Sequence, residues 1–119
     1  MSHPVKIFQP TGILDGVSGS VLSRYISDAV TRQPATILID LQKVTFINSS
    51  GLGALVSILK TIRSKDLRLC LCSLHGQVAM FFEQASLNQA FEIYSSQQEF
   101  NQHEFEKLFE TSLAGEGDD

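Results

Sequence analysis

The chain has 119 residues, 43% of them apolar and 18% charged, and this size and composition predict one globular domain with a single core, not a disordered chain. The net charge of −4 includes three acidic residues among the last five, so the rest of the chain is nearly neutral and offers no basic face for nucleic-acid phosphates. No apolar run reaches the ~20 residues that cross a bilayer, and the first residues lack a signal-peptide pattern, so we expect a cytoplasmic protein with no membrane and no nucleic-acid partner.

The first half of the chain predicts two strands around one helix. Residues 5–8 alternate apolar and polar side chains as a strand does, Pro10 indicates an edge or a strand end, and Gly12 indicates a turn or bulge. A helix is predicted from about residue 18 to residue 32, and residues 36–41 predict a central strand that is covered on both faces. The apolar stripe of this helix comprises Val21, Leu22, Tyr25, Ile26, Ala29 and Val30.

The second half predicts three helices and two strands. Helices are expected over about residues 50–64, 76–84 and 97–111, and strands over residues 67–72 and 91–94. Each helical segment carries apolar residues at intervals of three and four, which predicts one face turned toward a core. For the last helix the residues expected to be buried are Phe105, Leu108 and Phe109.

Strands and helices alternate along most of the chain, which predicts an α/β domain in which neighbouring strands are parallel. We expect this domain to span residues 3–112, followed by a disordered acidic tail over residues 113–119. Cys70 and Cys72 stand two apart in a predicted strand, so both side chains point to the same face and cannot easily bridge each other. They are interpreted as buried structural thiols.

A short segment rich in serine and glycine opens the second helix. Residues 48–53 read Asn-Ser-Ser-Gly-Leu-Gly, and residues 11–15 read Thr-Gly-Ile-Leu-Asp. These segments resemble the STAS family of bacterial anti-sigma factor antagonists, in which Asp-Ser-Ser/Thr-Gly-Leu-Gly opens a helix after a hydrophobic strand and Thr-Gly-x-Leu-Asp often forms an earlier turn. The resemblance implies a single STAS-like α/β domain, with a mixed sheet of about four strands and about four helices packed mainly on one face.

The resemblance also implies a function that depends on one serine. In such proteins the first serine of the pair accepts a phosphate from a partner that is both an anti-sigma factor and a serine kinase, and this serine is Ser49 here. The unphosphorylated domain is expected to sequester the ATP-binding kinase and so free a sigma factor, and a metal-dependent serine phosphatase would reset it. The domain itself is then expected to be neither an enzyme nor dependent on a cofactor. The implied partner-binding residues are Asn48, Ser50, Gly51, Leu52, Gly53, Asp15 and Asp40.

Other interpretations of the same residues stay open. The two serines and Asn48 would make a good helix cap without any phosphorylation. The family usually has Asp at the position of Asn48, and this difference favours the alternative of a constitutive STAS scaffold or small-ligand sensor that is never phosphorylated. A dinucleotide-binding pattern is incomplete, because Val56 stands where a third glycine is needed. Asp15 is interpreted as a turn residue, Asp40 as a polar strand-end group, and the widely spaced histidines predict no metal site.

Overall fold

The protein is described by a computed structural model that covers residues 4–117, with side chains from residue 4 to residue 109. Strands and helices alternate as predicted, which confirms the α/β class. Within residues 4–117, no helix combines the length and the apolar character needed to span a membrane. The strands are β1 (Val5–Phe8), β2 (Gly12–Leu14), β3 (Thr36–Asp40), β4 (Val44–Ile47), β5 (Arg68–Cys72) and β6 (Glu92–Tyr94); the helices are α1 (Gly16–Val30), α2 (Ser49–Ser64), α3 (Gly76–Gln84) and α4 (Gln97–Gly117).

The strands form a four-stranded sheet in the order β1-β3-β5-β6 and a two-stranded sheet that pairs β2 with β4. Each pair among the described residues is parallel, where a mixed sheet was expected. In the four-stranded sheet the difference follows from the connections, because α1, α2 and α3 bring the chain back to the same end of the sheet before β3, β5 and β6. The predicted irregularity at Gly12 is a register shift in the β2–β4 pair, and Gly12 has a positive φ of 77°.

Two apolar layers cover the four-stranded sheet. One face, with Ile37 and Ile39 of β3, packs against α1, α2 and α3 in the main core. The other face carries Leu38 and both cysteines and is covered by α4, whose Phe100 is 1% exposed. Three helices on one face and one on the other confirm the predicted layering. Cys70 and Cys72 are both free and buried on the α4 face, as predicted.

Helix α2 packs closely against α1 and against the end of β2, because a glycine stands at each contact. A Cβ atom on Gly19 would stand 2.5 Å from the Cβ of Ala54, and one on Gly51 would stand 2.0 Å from the carbonyl oxygen of Leu14. Real Cβ contacts are never this short, so only glycine allows this approach. The close packing brings the N-terminal ends of the two helices side by side.

The buried face of α4 differs from the prediction. Phe105 and Phe109 are 69% and 55% exposed, and Leu108 is also exposed. The residues of α4 that face the sheet include Phe100 and Glu104, and the Glu104 carboxylate is bonded to the Arg68 guanidinium. A polar residue therefore occupies the sheet-facing position one turn after Phe100, and the predicted aromatic stripe points away from the core.

The end of α4 also lies beyond its predicted position. The helix continues to Gly117, past the expected end at Thr111, and so overlaps most of the segment predicted as an acidic tail. Residues 118 and 119 of that segment lie outside the described part of the chain.

Candidate functional site

The start of α2 presents two serine side chains to solvent. Asn48 is the N-cap: its backbone is extended (φ −112°, ψ −179°), and its Oδ1 accepts a hydrogen bond from the Gly51 N–H at 2.9 Å. Ser49 is the first residue of the helix, and both Ser49 and Ser50 are exposed. Because Asn48 supplies the cap, the helix does not depend on the Ser49 hydroxyl for capping, and this hydroxyl is accessible to a visiting protein.

The start of α1 lies next to the start of α2. Leu14 and Ile47 are register partners in the β2–β4 pair, and the Asn48 N–H donates a hydrogen bond to the Leu14 carbonyl oxygen at 3.3 Å. The residues that follow these partners, Asp15 and Asn48, are the N-caps of the two helices. The two capping side chains therefore stand at the same edge of the small sheet.

Asp15 caps α1 with a carboxylate, which corrects its interpretation as a turn residue. Its Oδ1 accepts hydrogen bonds from the N–H groups of Ser18 at 2.9 Å and Val17 at 3.1 Å, and the Ser18 hydroxyl accepts one from the Asp15 N–H at 2.9 Å. These reciprocal bonds form a capping box, so α1 begins at Gly16, two residues before its predicted start. The bond from the Ser18 N–H is the main reason why the pKa of Asp15 is lowered, and the carboxylate is ionised at neutral pH.

The two neighbouring helix starts therefore differ in charge. The α1 start holds the Asp15 carboxylate, whereas the α2 start is capped by a neutral amide and has no acidic residue in its first turn. The free N–H groups and the positive end of the helix dipole at α2 are not neutralised by its own side chains. An anion attached to Ser49 would find this partial positive charge available.

An exposed apolar surface adjoins the serines. We call Ile13, Val17 and Phe46 the apolar surface; they are 57%, 78% and 44% exposed. Ile13 and Phe46 are register partners in the β2–β4 pair, and they point outward because their neighbours Leu14 and Ile47 point into the core. The exposure of these residues was not predicted from the sequence, although the alternation of side chains along a strand was a signal for it.

A groove continues this surface along α1. It lies between α1 and the segment that joins β1 to β2, has a volume of about 610 Å³, and is lined in part by Pro10, Val21 and Tyr25. The sequence placed Val21 and Tyr25 in the buried stripe of α1, but both are exposed. Val21 and Tyr25 lie at the side of the buried stripe of α1. The residues of this stripe that pack in the main core include Leu22 and Ile26.

The glycines and the leucine of the motif have different surroundings. Gly51 and Leu52 are buried, with Leu52 in the main core and Gly51 against the Leu14 carbonyl. Gly53 is exposed, and a Cβ atom added to it would meet nothing within 4 Å. The surface that a partner could reach at this end of α2 therefore consists of Ser49, Ser50 and Gly53.

Asp40 is not brought together with the serines. It ends β3 on the face covered by α4 and is buried. Its carboxylate accepts hydrogen bonds from the side chain of Gln97 at 2.6 Å, the side chain of Gln9 at 2.9 Å and the Gln42 N–H at 2.9 Å. Burial raises the pKa of Asp40, but these bonds outweigh it and the pKa is lowered overall. Asp40 thus links the β1–β2 connection, the β3–β4 connection and the start of α4, in agreement with a polar strand-end role.

Comparison with protein families then places the chain. The model of the STAS domain matches residues 2–100. The chain belongs to the STAS domain family. The predicted resemblance is thereby confirmed, and the match includes every strand of the fold and the first turn of α4.

Solved structures with the fold of this STAS domain include anti-sigma factor antagonists and a domain of a transporter. A putative anti-sigma factor antagonist from Thermotoga maritima is 25% identical, with a TM-score of 0.75 over 83% of this chain and 86% of that one. SpoIIAA, a Bacillus cell fate determinant in its phosphorylated form, is 17% identical, with a TM-score of 0.63 over 85% and 92%. The STAS domain of a SulP transporter from Vibrio cholerae is 12% identical, with a TM-score of 0.70 over 95% and 88%. The function of this domain must therefore be argued from its own site.

The histidines of this STAS domain serve other contacts. His75 is the N-cap residue of α3 and its Nε2 lies 2.8 Å from the Gln42 carbonyl oxygen, while His103 Nδ1 lies 3.1 Å from the Tyr94 hydroxyl. His3 is outside the described residues. In the part of the chain that the structure describes, no three His, Cys, Asp or Glu residues are grouped so that they could hold a metal ion.

Proposed function

We propose that this STAS domain is a cytoplasmic anti-sigma factor antagonist that is switched by phosphorylation of Ser49. Unphosphorylated, it binds an ATP-binding anti-sigma serine kinase and so frees a sigma factor; phosphorylated, it dissociates, and a metal-dependent serine phosphatase restores it. The domain is a binding module and substrate, not an enzyme. The observation that carries the proposal is the exposed Ser49 hydroxyl, placed on the first residue of α2 and beside the apolar surface.

The domain can accept the phosphate without unfolding. A phosphoserine carries a charge of about −1.5 to −2, which is favourable within the first turn of a helix. Asn48 assists here, because a neutral cap adds no repulsion, whereas an aspartate at the same position would place a second anion beside the phosphate. The substitution of Asn for the family's usual Asp is therefore compatible with a phosphorylated state.

A bound partner tolerates the same phosphate much less well. The apolar surface next to Ser49 would be desolvated in a complex, and a charge buried there without a cation costs several kcal/mol. A loss of about 2.7 kcal/mol corresponds to about a hundredfold weaker binding. Phosphorylation of Ser49 would therefore change binding and leave the fold unchanged.

The decisive experiment is phosphorylation by the cognate kinase and ATP, followed by binding measurements. We expect one phosphate on the wild-type domain and none on Ser49→Ala, whereas Ser50→Ala keeps the site and is phosphorylated. Ser49→Asp should bind the kinase about a hundredfold more weakly, while Ser57→Asp, two turns along α2 and also exposed, should bind as wild type does. Phosphate found on Ser50 in the wild-type domain would refute the assignment.

A second candidate is a constitutive STAS scaffold or small-ligand sensor. It is favoured by Asn48 in place of the family's usual Asp and by the groove of about 610 Å³ along α1. The intact mass of protein isolated from cells separates the two functions: a species heavier by about 80 Da, one phosphate, supports the switch. The sensor would be supported if the heavier species were absent under all growth conditions and a ligand shielded the groove residues Val21 and Tyr25 from solvent.

A further inference from the structure

Helix α3 holds the strand that leads to Ser49. Gln77, the second residue of α3, bonds both backbone groups of Ile47: its Oε1 accepts from the Ile47 N–H, and its Nε2 donates to the Ile47 carbonyl oxygen, each at 2.8 Å. Ile47 is the last residue of β4 and directly precedes Asn48. The side-chain amide thus binds the outer edge of β4 as a residue of a neighbouring strand would.

The opposite edge of the same segment is held by β2. There the Asn48 N–H donates to the Leu14 carbonyl oxygen at 3.3 Å. Gln77 is half-buried and the Ile47 side chain is fully buried, so water competes little for these bonds. Residues 47 and 48 are therefore fixed from both edges before the helix begins with Ser49.

We propose that Gln77 is a positioning residue for phosphoryl transfer to Ser49, an inference that rests on the proposed function. In that step Ser49 Oγ forms a bond to the γ-phosphorus of the ATP held by the kinase, the bond to the β-phosphate oxygen breaks, ADP leaves, and the hydroxyl proton passes to a base of the kinase. The attacking oxygen must lie in line with the bond that breaks, and a displacement of about 1 Å can reduce the rate about a hundredfold. Gln77 acts through Ile47 and Asn48, and it has no direct role in binding the phosphate.

Other features of the molecule would not replace this restraint. The cap bond from Gly51 N–H to Asn48 Oδ1 fixes the cap relative to α2, but not relative to the rest of the domain. The bond to Leu14 involves the Asn48 N–H and not the N–H or carbonyl oxygen of Ile47. Among the side-chain hydrogen bonds of residues 4–109, the two from Gln77 are those that hold both backbone groups of Ile47.

Steady-state phosphorylation of a matched pair of variants tests this role. Gln77→Met keeps the length of the side chain and removes both bonds, and Gln84→Met makes the same change at the exposed last residue of α3. For Gln77→Met we expect kcat to fall about tenfold with KM within about twofold of wild type, because the apolar surface that docks the kinase is unchanged. Gln84→Met should behave as wild type. An unchanged kcat, or a loss confined to KM, overturns the inference.

Backbone hydrogen exchange provides a measurement that needs no kinase. In Gln77→Met the N–H groups of Ile47 and Gly51 should exchange about tenfold faster, while the N–H of Leu71 in the central strand β5 keeps its protection. An equal acceleration at all three positions means that Gln77 only stabilises the fold, and the positioning role is then rejected. Gln77→Glu, which keeps the acceptor for the Ile47 N–H and loses the donor to the Ile47 carbonyl oxygen, serves as the second variant and should accelerate exchange of the Ile47 N–H less than Gln77→Met does.

The two proposals fail in different ways. If the wild-type domain accepts no phosphate on Ser49, the proposed function fails, and the positioning role fails with it. If the wild-type domain is phosphorylated and Gln77→Met is phosphorylated equally fast, only the positioning role fails.

Discussion

At the scale of single residues, Gly51 and Gly53 play opposite parts although they stand two positions apart in α2. A Cβ on Gly51 would collide with the Leu14 carbonyl oxygen, a backbone atom that cannot turn aside, whereas Gly53 faces open space. Gly51 is thus required by packing. Gly53 is not required by the fold, and its value lies in the space that it leaves on the surface next to the serines.

Alanine at each glycine tests this difference by urea denaturation. Gly51→Ala should lower the free energy of unfolding by about 3 kcal/mol through overpacking. Gly53→Ala should raise it by about 0.5–1 kcal/mol, because alanine loses less backbone entropy in a helix. Equal effects of the two changes would contradict the described contact of Gly51 with Leu14 at the end of β2. If Gly53→Ala also weakens kinase binding, the open surface at Gly53 belongs to the interface.

At the scale of elements, α4 is attached to the sheet through Phe100, an ionic cluster, and the hydrogen bonds of Gln97 to Asp40 and of His103 to Tyr94. Phe100 packs edge-on against Tyr94, with ring centroids 5.4 Å apart, and Arg68 lies over the Phe100 ring at 5.8 Å. Arg68 also bonds the carboxylates of Glu92 and Glu104. Between Glu104 and residue 109, the apolar residues Phe105, Leu108 and Phe109 are exposed.

Two phenylalanines on this helix should therefore differ in their effect on stability. Phe100→Ala removes a buried ring and should lower the free energy of unfolding by about 3–5 kcal/mol. Phe105→Ala removes a ring that is 69% exposed and should change it by less than about 0.5 kcal/mol. Chemical denaturation of both variants measures the difference. A large loss in Phe105→Ala would show that its ring is packed in solution.

The ionic cluster makes the stability of the domain sensitive to acid through the Glu92 carboxylate of β6. The Arg68 guanidinium lowers the pKa of Glu92 to about 2, from an unperturbed value of 4.5. A carboxylate with a lowered pKa stabilises the fold above its unfolded pKa, and this contribution is lost as the pH falls from about 4.5 to about 2. Because the Glu92 side chain is 40% exposed, solvent screening reduces the contribution to on the order of 1 kcal/mol.

Urea titrations at pH 7 and pH 3 measure this contribution. The wild-type domain should lose more stability between these pH values than Glu92→Gln, which has no carboxylate to protonate at this position. Equal losses in both proteins would show that Glu92 has no lowered pKa.

At the scale of the whole molecule, a negative charge at Ser49 should leave the fold intact. Ser49→Asp places a carboxylate in the first turn of α2 and should raise the free energy of unfolding by about 0.5 kcal/mol. Ser57→Asp, near the middle of the same helix, should have almost no effect. Thermal or urea denaturation of the two variants checks this expectation. A clear destabilisation by Ser49→Asp would indicate that the charge acts by disturbing the domain.

Much of the fold could be predicted from the sequence because its patterns are local. The bounds of α3 were predicted correctly, and α2 begins one residue before its predicted start, since caps and apolar periodicity depend only on neighbours in the chain. The burial of α4 could not be predicted, because which side of a helix meets the sheet is decided by distant partners such as Arg68.

The candidate site was predicted only in part for the same reason. The motif around Ser49 is contiguous and was visible in the sequence. The apolar surface and the bonds of Gln77 to Ile47 join residues about 30 positions apart, so only the folded chain shows them. The position of Asp40 likewise depends on Gln97, which lies 57 residues further along the chain.

The start of α2 packs tightly against α1, with Gly19 against Ala54, and against the end of β2, with Gly51 against Leu14, and this packing has one more consequence. Contacts this close resist relative movement of these elements, so we expect a charge added at Ser49 to cause little change in distant parts of the domain. A partner must therefore detect the phosphorylation state of Ser49 by binding directly at Ser49. The emission of a fluorophore attached at the far edge of the sheet should not change on phosphorylation. A fluorophore attached next to the N-terminal ends of α1 and α2 should report it.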